Sequence, residues 1–234
     1  MRQGGVVNDA GSHPGGFRTS LPLLPPPTSD DQTVDMKKLL AALTVISLLW
    51  AWRLFGVAIE TTPGRQAPDP PQQRPPAEST TFQHRVFRIT PMADFQLRAR
   101  VLGSARYRFD EGAALSPLDL ALGWGRMSDP AVYGRLSISQ SGRWYRYSWG
   151  RDGPPIPADE IIRSSANMHL VPADAAVEAA IMKAAAGDVI ELRGQLIRAN
   201  DDNGWSWRSS MTRTDSGAGA CELIWVQQFE IVRY

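Results

Sequence analysis

Three residues in the C-terminal half of the chain have the side chains that a thiol hydrolase needs. Cys221, the only cysteine, would supply the nucleophile, His169 the general base and Asp215 a carboxylate that orients the imidazole. Their spacing matches no cysteine-enzyme signature. A small buried cysteine at the start of a strand and a hydrogen-bonded core histidine explain the same residues through packing alone. Cys221, His169 and Asp215 are therefore candidates for catalysis, with packing as the alternative.

Aromatic residues are concentrated in two short stretches, Trp144–Trp149 and Trp205–Trp207. Interleaved with arginine, such rings can stack on sugars or bases, and they can equally fill the interior of a small β domain. Trp124 lies between two glycines, in a loop where it can anchor a partner or serve the fold alone. The candidate ligand-binding residues are Trp124, Trp144, Tyr147, Trp205 and Trp207.

Metal and phosphate chemistry have no pattern in the sequence. His84, His169 and the carboxylates are scattered without HxxxH or HxH spacing, and no GxGxxG or GxxxxGK loop is present. We predict no metal and no cofactor. The chain carries 25 Lys+Arg against 24 Asp+Glu, a net charge of +1. Nucleic-acid-binding domains usually have a clear basic excess, so a single-strand nucleic-acid binder is the weakest hypothesis.

Alternation of apolar and polar residues predicts strands throughout the C-terminal region. We expect them at residues 85–90, 95–107, 137–149 (a hairpin turning near Ser141-Gly142), 168–171, 188–198, 205–211 and 222–232. Short helices or helical turns are expected at residues 116–122, 128–135, 158–163 and 174–186. The last of these is the clearest, since Asp174 can cap its start and Gly187 can end it.

The order of these elements predicts a mainly β fold with short helices, of the α+β class. Strands, then a helix, then a hairpin and a closing strand follow the order of a small OB-like barrel, in which a helix separates the third and fourth strands. Other small barrels and open sheets share this order, so a small mixed β domain is the broader prediction. Cys221 has no second cysteine to pair with, so packing must stabilise the core.

Four segments carry a resemblance to other proteins: Ala121–Gly125, Ser137–Arg143, Ser165–His169 and Thr212–Glu222. In these segments the chain resembles a group of uncharacterised bacterial membrane-anchored proteins, over roughly Phe95 to the C-terminus. The resemblance implies a bacterial envelope setting and supports the domain boundary. It implies no activity and no catalytic residues.

A membrane segment is predicted at Lys37–Ile59, where two lysines precede an apolar run. Leu39 to Ile59 covers 21 residues, enough to cross a hydrocarbon core if Arg53 reaches the interface. A cleaved signal peptide competes with a retained signal anchor, and the bulky cluster Trp50–Arg53 favours the anchor because cleavage sites prefer small residues. Residues 36–59 are therefore expected to be a single-pass inner-membrane anchor, and the two lysines place the C-terminal domain in the periplasm.

The remaining segments flank this anchor. Residues 1–35 have no periodic apolar face, which indicates either a disordered tail or a mis-assigned start upstream of the true initiator Met36. Residues 60–80 are rich in proline and predict an extended linker. Residues 81–234 are then an extracytoplasmic β-rich domain.

We expect a membrane-anchored binding module for an envelope protein partner or a cell-wall glycan, with a thiol hydrolase using Cys221 and His169 as the alternative. The sequence does not specify an oligomeric state.

Overall fold

A computed structural model describes residues 36–47, 63–212 and 220–233 of the chain. Contacts divide the chain into two compact units, Met1–Val57 and Ala58–Tyr234. In the first unit, residues 36–47 form helix α1. Within the described residues no helix is both long enough and apolar enough to cross a membrane. The predicted tail at 1–35 and the rest of the predicted anchor, residues 48–59, lie outside the described residues.

The second unit is built mainly of strands. They are β1 (Gln72–Arg74), β2 (Phe82–His84), β3 (Phe87–Arg106), β4 (Leu118–Gly123), β5 (Leu136–Ser141), β6 (Trp144–Trp149), β7 (Ser165–Pro172), β8 (Val189–Asn200), β9 (Ser206–Arg208) and β10 (Glu222–Val232). A short 3-10 helix covers Gly125–Ser128, and the α-helices are α2 (Pro130–Tyr133), α3 (Ala158–Arg163) and α4 (Ala175–Ile181). The prediction of a mainly β domain with a few short helices is confirmed.

Eight of these strands form one sheet in the order β1-β3-β4-β7-β10-β8-β9, with β2 attached to β3. β3 also pairs with β8, along a register from Arg88 opposite Asn200 to Arg100 opposite Val189. β7 and β10 run parallel, and the other neighbours in this sheet are antiparallel. β5 and β6 form a separate hairpin.

The main core lies on one face of the long strands. On β3 the side chains of Phe95, Leu97, Ala99 and Val101 are buried, as their alternation predicts, and they pack with residues of β4, β7, β8 and β10. Asp174 caps α4 through its side chain, which accepts a hydrogen bond from the Val177 amide. This capping is also as predicted, although α4 ends at Ile181 and is shorter than expected.

One predicted helix is wrong. Residues 116–122 were expected to be helical because Ser116 and Pro117 precede an apolar run, but Leu118–Gly123 is strand β4. Every residue of β4 is buried, with β3 on one side and β7 on the other. Strands that are covered on both faces carry continuous apolar runs. The spacing of apolar residues in such a run does not distinguish a strand from a short buried helix.

Part of the predicted linker contacts the domain. β1 lies within residues 60–80 and pairs antiparallel with β3. Ala67 is buried, and its carbonyl accepts a hydrogen bond from the Gly125 amide at 2.8 Å. Residues from Pro63 onward therefore belong structurally to the second unit.

Candidate functional site

A cavity of about 560 Å³ opens beside the tip of the β5–β6 hairpin, next to β9 and the start of β10. Three tryptophans line it, and we call it the tryptophan cavity. The lining residues that matter below are Arg143, Trp144, His169, Trp205, Trp207 and Cys221. The structure thus brings together two sets of candidates predicted from the sequence. One set is the Cys221 thiol and the His169 imidazole, and the other is the three tryptophans.

Asp119 is the centre of a buried polar network beside the cavity. Its side chain is fully buried, on β4, directly opposite His169 on β7. Oδ1 lies 2.7 Å from Nη1 of Arg143 and 2.9 Å from Nδ1 of His169. Asn167 donates to Oδ2 at 3.4 Å and to the Arg143 carbonyl at 3.1 Å. A buried carboxylate needs such partners, because an isolated charge in the interior is very costly.

Arg143 adopts an unusual backbone conformation at the hairpin tip. Ser141 pairs with Trp144, so Gly142 and Arg143 form a two-residue loop with φ angles of 56° and 68°. Positive φ at both positions is the requirement of a type I′ turn. In that region a residue with a Cβ costs about 1–2 kcal/mol. Contacts elsewhere must offset this strain, and strained residues of this kind often occur at functional sites.

The Arg143 side chain supplies those contacts. Its Nε and Nη2 both donate to the Asp110 carboxylate at 2.8 Å, and Nη1 donates to Asp119. The guanidinium lies 3.8 Å from the centre of the Tyr107 ring, whose hydroxyl accepts from the Arg143 amide at 3.0 Å. Burial opposes the charge, but the hydrogen bonds to Asp110 and the charge of Asp119 outweigh it and raise the pKa of Arg143. The hairpin tip is therefore fixed to the sheet by a permanent cation.

His169 is 97% buried, with 3% of its side chain exposed, and it lines the cavity. Nδ1 is at contact distance from Asp119 but lacks the alignment of a hydrogen bond, so this buried nitrogen has no hydrogen-bond partner. The Trp207 ring lies against the imidazole, with 4.6 Å between ring centres. With Nδ1 beside the carboxylate, Nε2 is on the opposite side of the ring from Asp119.

The tryptophans are neither fully buried nor fully exposed. Trp205 and Trp207 are half-buried, 5.9 Å apart between ring centres and nearly perpendicular. Gly112 lies against Trp207, since a Cβ built on Gly112 would come within 2.7 Å of the indole. Trp144 reaches the cavity from the hairpin and is 39% exposed. Packing therefore holds Trp205 and Trp207 at the opening, and Trp144 borders it from the hairpin.

Cys221 lies immediately before β10 and is partly buried. Its carbonyl accepts from the Ser210 amide at 3.0 Å, which fixes the backbone where the chain enters the strand. Leu223 is opposite His169 in the parallel β7–β10 pair, and Cys221 lies only two residues before Leu223. This register explains why the thiol and the imidazole line the same cavity.

Comparison with protein-family models, with curated proteins and with solved structures finds no match for this chain. Its function must therefore be inferred from the cavity and its residues.

The other sequence candidates lie elsewhere. Trp124 is 97% buried in the main core, with 3% exposed, and does not line the tryptophan cavity. Tyr147 packs beneath the hairpin, between Tyr145 and Trp149, and is likewise not a lining residue. Asp215 lies outside the described residues. Within the described ranges, no group of three or more His, Cys, Asp or Glu side chains could hold a metal ion.

Sequence reasoning missed Asp119, Arg143 and Asp110. Asp119 was hidden because its segment was expected to be a helix. Arg143 had a local signal, since it follows Gly142 at the predicted hairpin turn. Asp110 sits in a turn after β3 and has no distinguishing pattern.

Proposed function

We propose that the chain is a single-pass inner-membrane protein whose periplasmic domain binds a short cell-wall glycan in the tryptophan cavity. The observation that carries this proposal is the convergence of Trp144, Trp205 and Trp207 on one concave site. Indole faces stack well on the apolar faces of sugar rings, and fixed aromatic rings lose little entropy when they do so.

Polar groups at the cavity suit hydroxyl and amide groups of a saccharide. Asp110, Arg143 and Arg208 line it together with the tryptophans. Binding sites for small ligands combine an apolar lining with a few placed polar groups, and their volumes fall between about 300 and 1,000 Å³. The tryptophan cavity has both properties.

The topology supports a finer assignment of the fold, to an OB-like barrel. Pairing runs from β3 through β4, β7, β10 and β8 and returns to β3, with β7 and β10 parallel. Helix α4 lies between β7 and β8, which are the third and fourth of these five strands in chain order. OB-folds bind oligosaccharides as well as oligonucleotides, and the net charge of +1 favours the former.

The shape of the cavity favours a glycan over a protein partner. Stable protein interfaces bury about 800 Å² on each partner, mostly on flat surfaces. A concave site of about 560 Å³ instead matches a ligand of one or a few rings.

A matched pair of tryptophan variants tests the site. Trp144 and Trp149 lie on the same strand and are 39% and 40% exposed, but only Trp144 lines the cavity. Titrating the full-length protein with a soluble disaccharide muropeptide should quench tryptophan fluorescence. Trp144→Ala should weaken binding roughly tenfold or more, and Trp149→Ala should leave it unchanged. Equal effects of the two variants, or no binding by the wild type, would refute the site.

The location has its own test. The anchor is proposed because Lys37–Ile59 combines two lysines with a run long enough to span the bilayer. The protein should remain in the membrane fraction after a carbonate wash, and a reporter active only in the periplasm should be active when fused after Tyr234. Release of a soluble product beginning near Ile59 would show a cleaved signal peptide instead.

A further inference from the structure

A thiol and an imidazole both line the tryptophan cavity, and a buried carboxylate contacts the imidazole. We propose that Cys221 is the nucleophile of an acyl-transfer reaction, with His169 as the proton-transfer residue and Asp119 as the residue that positions His169. The substrate class is an ester or amide carried on a saccharide. This inference rests on the proposed function, because the same cavity would bind the saccharide.

Strand register brings the three groups together. Asp119 on β4 is opposite His169 on β7, and His169 is opposite Leu223 on β10. Cys221 precedes Leu223 by two residues, at the bend just before β10, and lines the same cavity as His169. Two neighbouring strands and the residue just before a third thus bring the carboxylate, the imidazole and the thiol to one region of the sheet.

The burial of His169 and the position of its Nδ1 atom are the second observation that supports this assignment. It is nine-tenths buried, its Nδ1 has no aligned partner, and that nitrogen lies 2.9 Å from Oδ1 of Asp119. The distance between these two atoms is that of a hydrogen bond, and catalytic hydrogen bonds are often poorly aligned before substrate binds. The Trp207 ring packs against the imidazole at a tilt and limits its other orientations. The imidazole is therefore held with Nδ1 toward Asp119, in a cavity that Cys221 also lines.

The chemistry needs only water as a co-reactant. The Cys221 thiol gives its proton to Nε2 of His169, and the sulfur attacks the acyl carbon while the carbonyl electron pair moves to oxygen. Collapse breaks the bond to the leaving oxygen or nitrogen, which takes the proton from His169 and leaves a thioester. His169 then removes a proton from water, the hydroxide displaces the sulfur, and the thiol regains its proton.

The charges around the cavity are balanced. Arg143 and Arg208 line it together with Asp110 and Glu111. Arg143 donates to both Asp110 and Asp119, so carboxylates already match its charge. Removal of the thiol proton is therefore assigned to His169 and not to a cationic surrounding.

The test uses p-nitrophenyl acetate as the acyl donor and the full-length protein. Peptide mass analysis should find the acetyl group on Cys221, and p-nitrophenolate release should be at least roughly tenfold faster than with N-acetylcysteine at the same pH. This comparison needs no variant. A label on other residues, or a rate equal to that of N-acetylcysteine, would overturn the proposal.

Variants assign the roles. Cys221→Ser should abolish acylation, and His169→Gln should slow it by roughly 10²–10⁴-fold, the usual contribution of a general base. Asp119→Asn should slow it less, with part of the rate restored in Asp119→Glu. An unchanged rate in folded His169→Gln would contradict the role of the imidazole.

Muropeptide binding, measured on wild type and on Cys221→Ser, separates this inference from the proposed function. Binding without acylation in the wild type would overturn the nucleophile and leave the glycan site standing. Acylation of Cys221 without muropeptide binding would overturn the glycan site and leave the nucleophile standing.

Discussion

Replacing Arg143 with alanine should be among the most destabilising single changes near the cavity. The side chain of Arg143 is 16% exposed and that of Asp119 is fully buried, with 2.7 Å between Nη1 and Oδ1. Arg143→Ala leaves this carboxylate with His169 and Asn167 as neighbours and no cation. Removing one partner of a buried ion pair costs about 3–5 kcal/mol of stability.

Other contacts of Arg143 change this figure little. The Asp110 carboxylate is 37% exposed, so water can replace the guanidinium there and the loss is about 1 kcal/mol or less. Alanine at a φ of 68° keeps the strain that arginine already bears. Glycine relieves it, so Arg143→Gly should be about 1 kcal/mol more stable than Arg143→Ala.

Urea unfolding followed by circular dichroism measures these differences. Arg163→Ala is the control, because Arg163 pairs with Asp159 at 2.7 Å on the surface, where the two side chains are 51% and 65% exposed. That change should cost below about 0.5 kcal/mol. If Arg143→Ala costs no more than Arg163→Ala, the buried pair does not hold the hairpin tip and the reasoning is wrong.

Two further predictions concern Gly194 on β8 and His84 on β2. A Cβ on Gly194 would lie 1.9 Å from the Trp225 carbonyl oxygen, so Gly194→Ala should cost more than about 3 kcal/mol, while Gly150→Ala, whose Cβ meets nothing within 4 Å, should cost less than about 1 kcal/mol. Thermal melts that coincide for these two variants would contradict the close strand approach. Burial, reinforced by the charge of Arg85, lowers the pKa of His84 below its ordinary 6.5. The unfolded chain then binds this proton more readily, so stability should fall as the pH drops from about 7.5 through 6.5 and level off below the lowered pKa. His84→Gln should flatten that part of the pH–stability curve. An unchanged slope would show that other groups cause the loss of stability in this pH range.

Most strands could be predicted from the sequence because half-buried strands expose alternate residues. β3 follows this rule over most of its length and β8 over part of it, and the turn at Ser141-Gly142 marks the hairpin. β4 does not follow it, since both of its faces are covered. The continuous burial of β4 concealed Asp119, on which the polar network depends.

The candidate site could be predicted only in its parts. Cys221, His169, Trp205 and Trp207 drew attention as residue types, but their meeting depends on the parallel pairing of β7 with β10 and on where β9 returns along β8. Neither pairing has a local signature. The position of the β5–β6 hairpin over the sheet is likewise set by contacts distant in the sequence, such as Arg143 with Asp110.

The pairing of β3 with β8 has a consequence for how the chain reaches its native state. Residues 88 and 200 must meet before β3 can pair with β8, and β10 must then insert between β7 and β8. Contacts between such distant residues close long loops early and make folding slow. Unpaired strand edges stay open to other chains during that interval, which favours aggregation over refolding at high concentration. Refolding yield should therefore fall steeply with protein concentration, and a cell producing this domain gains from any factor that shields β3 and β7 until the later strands arrive.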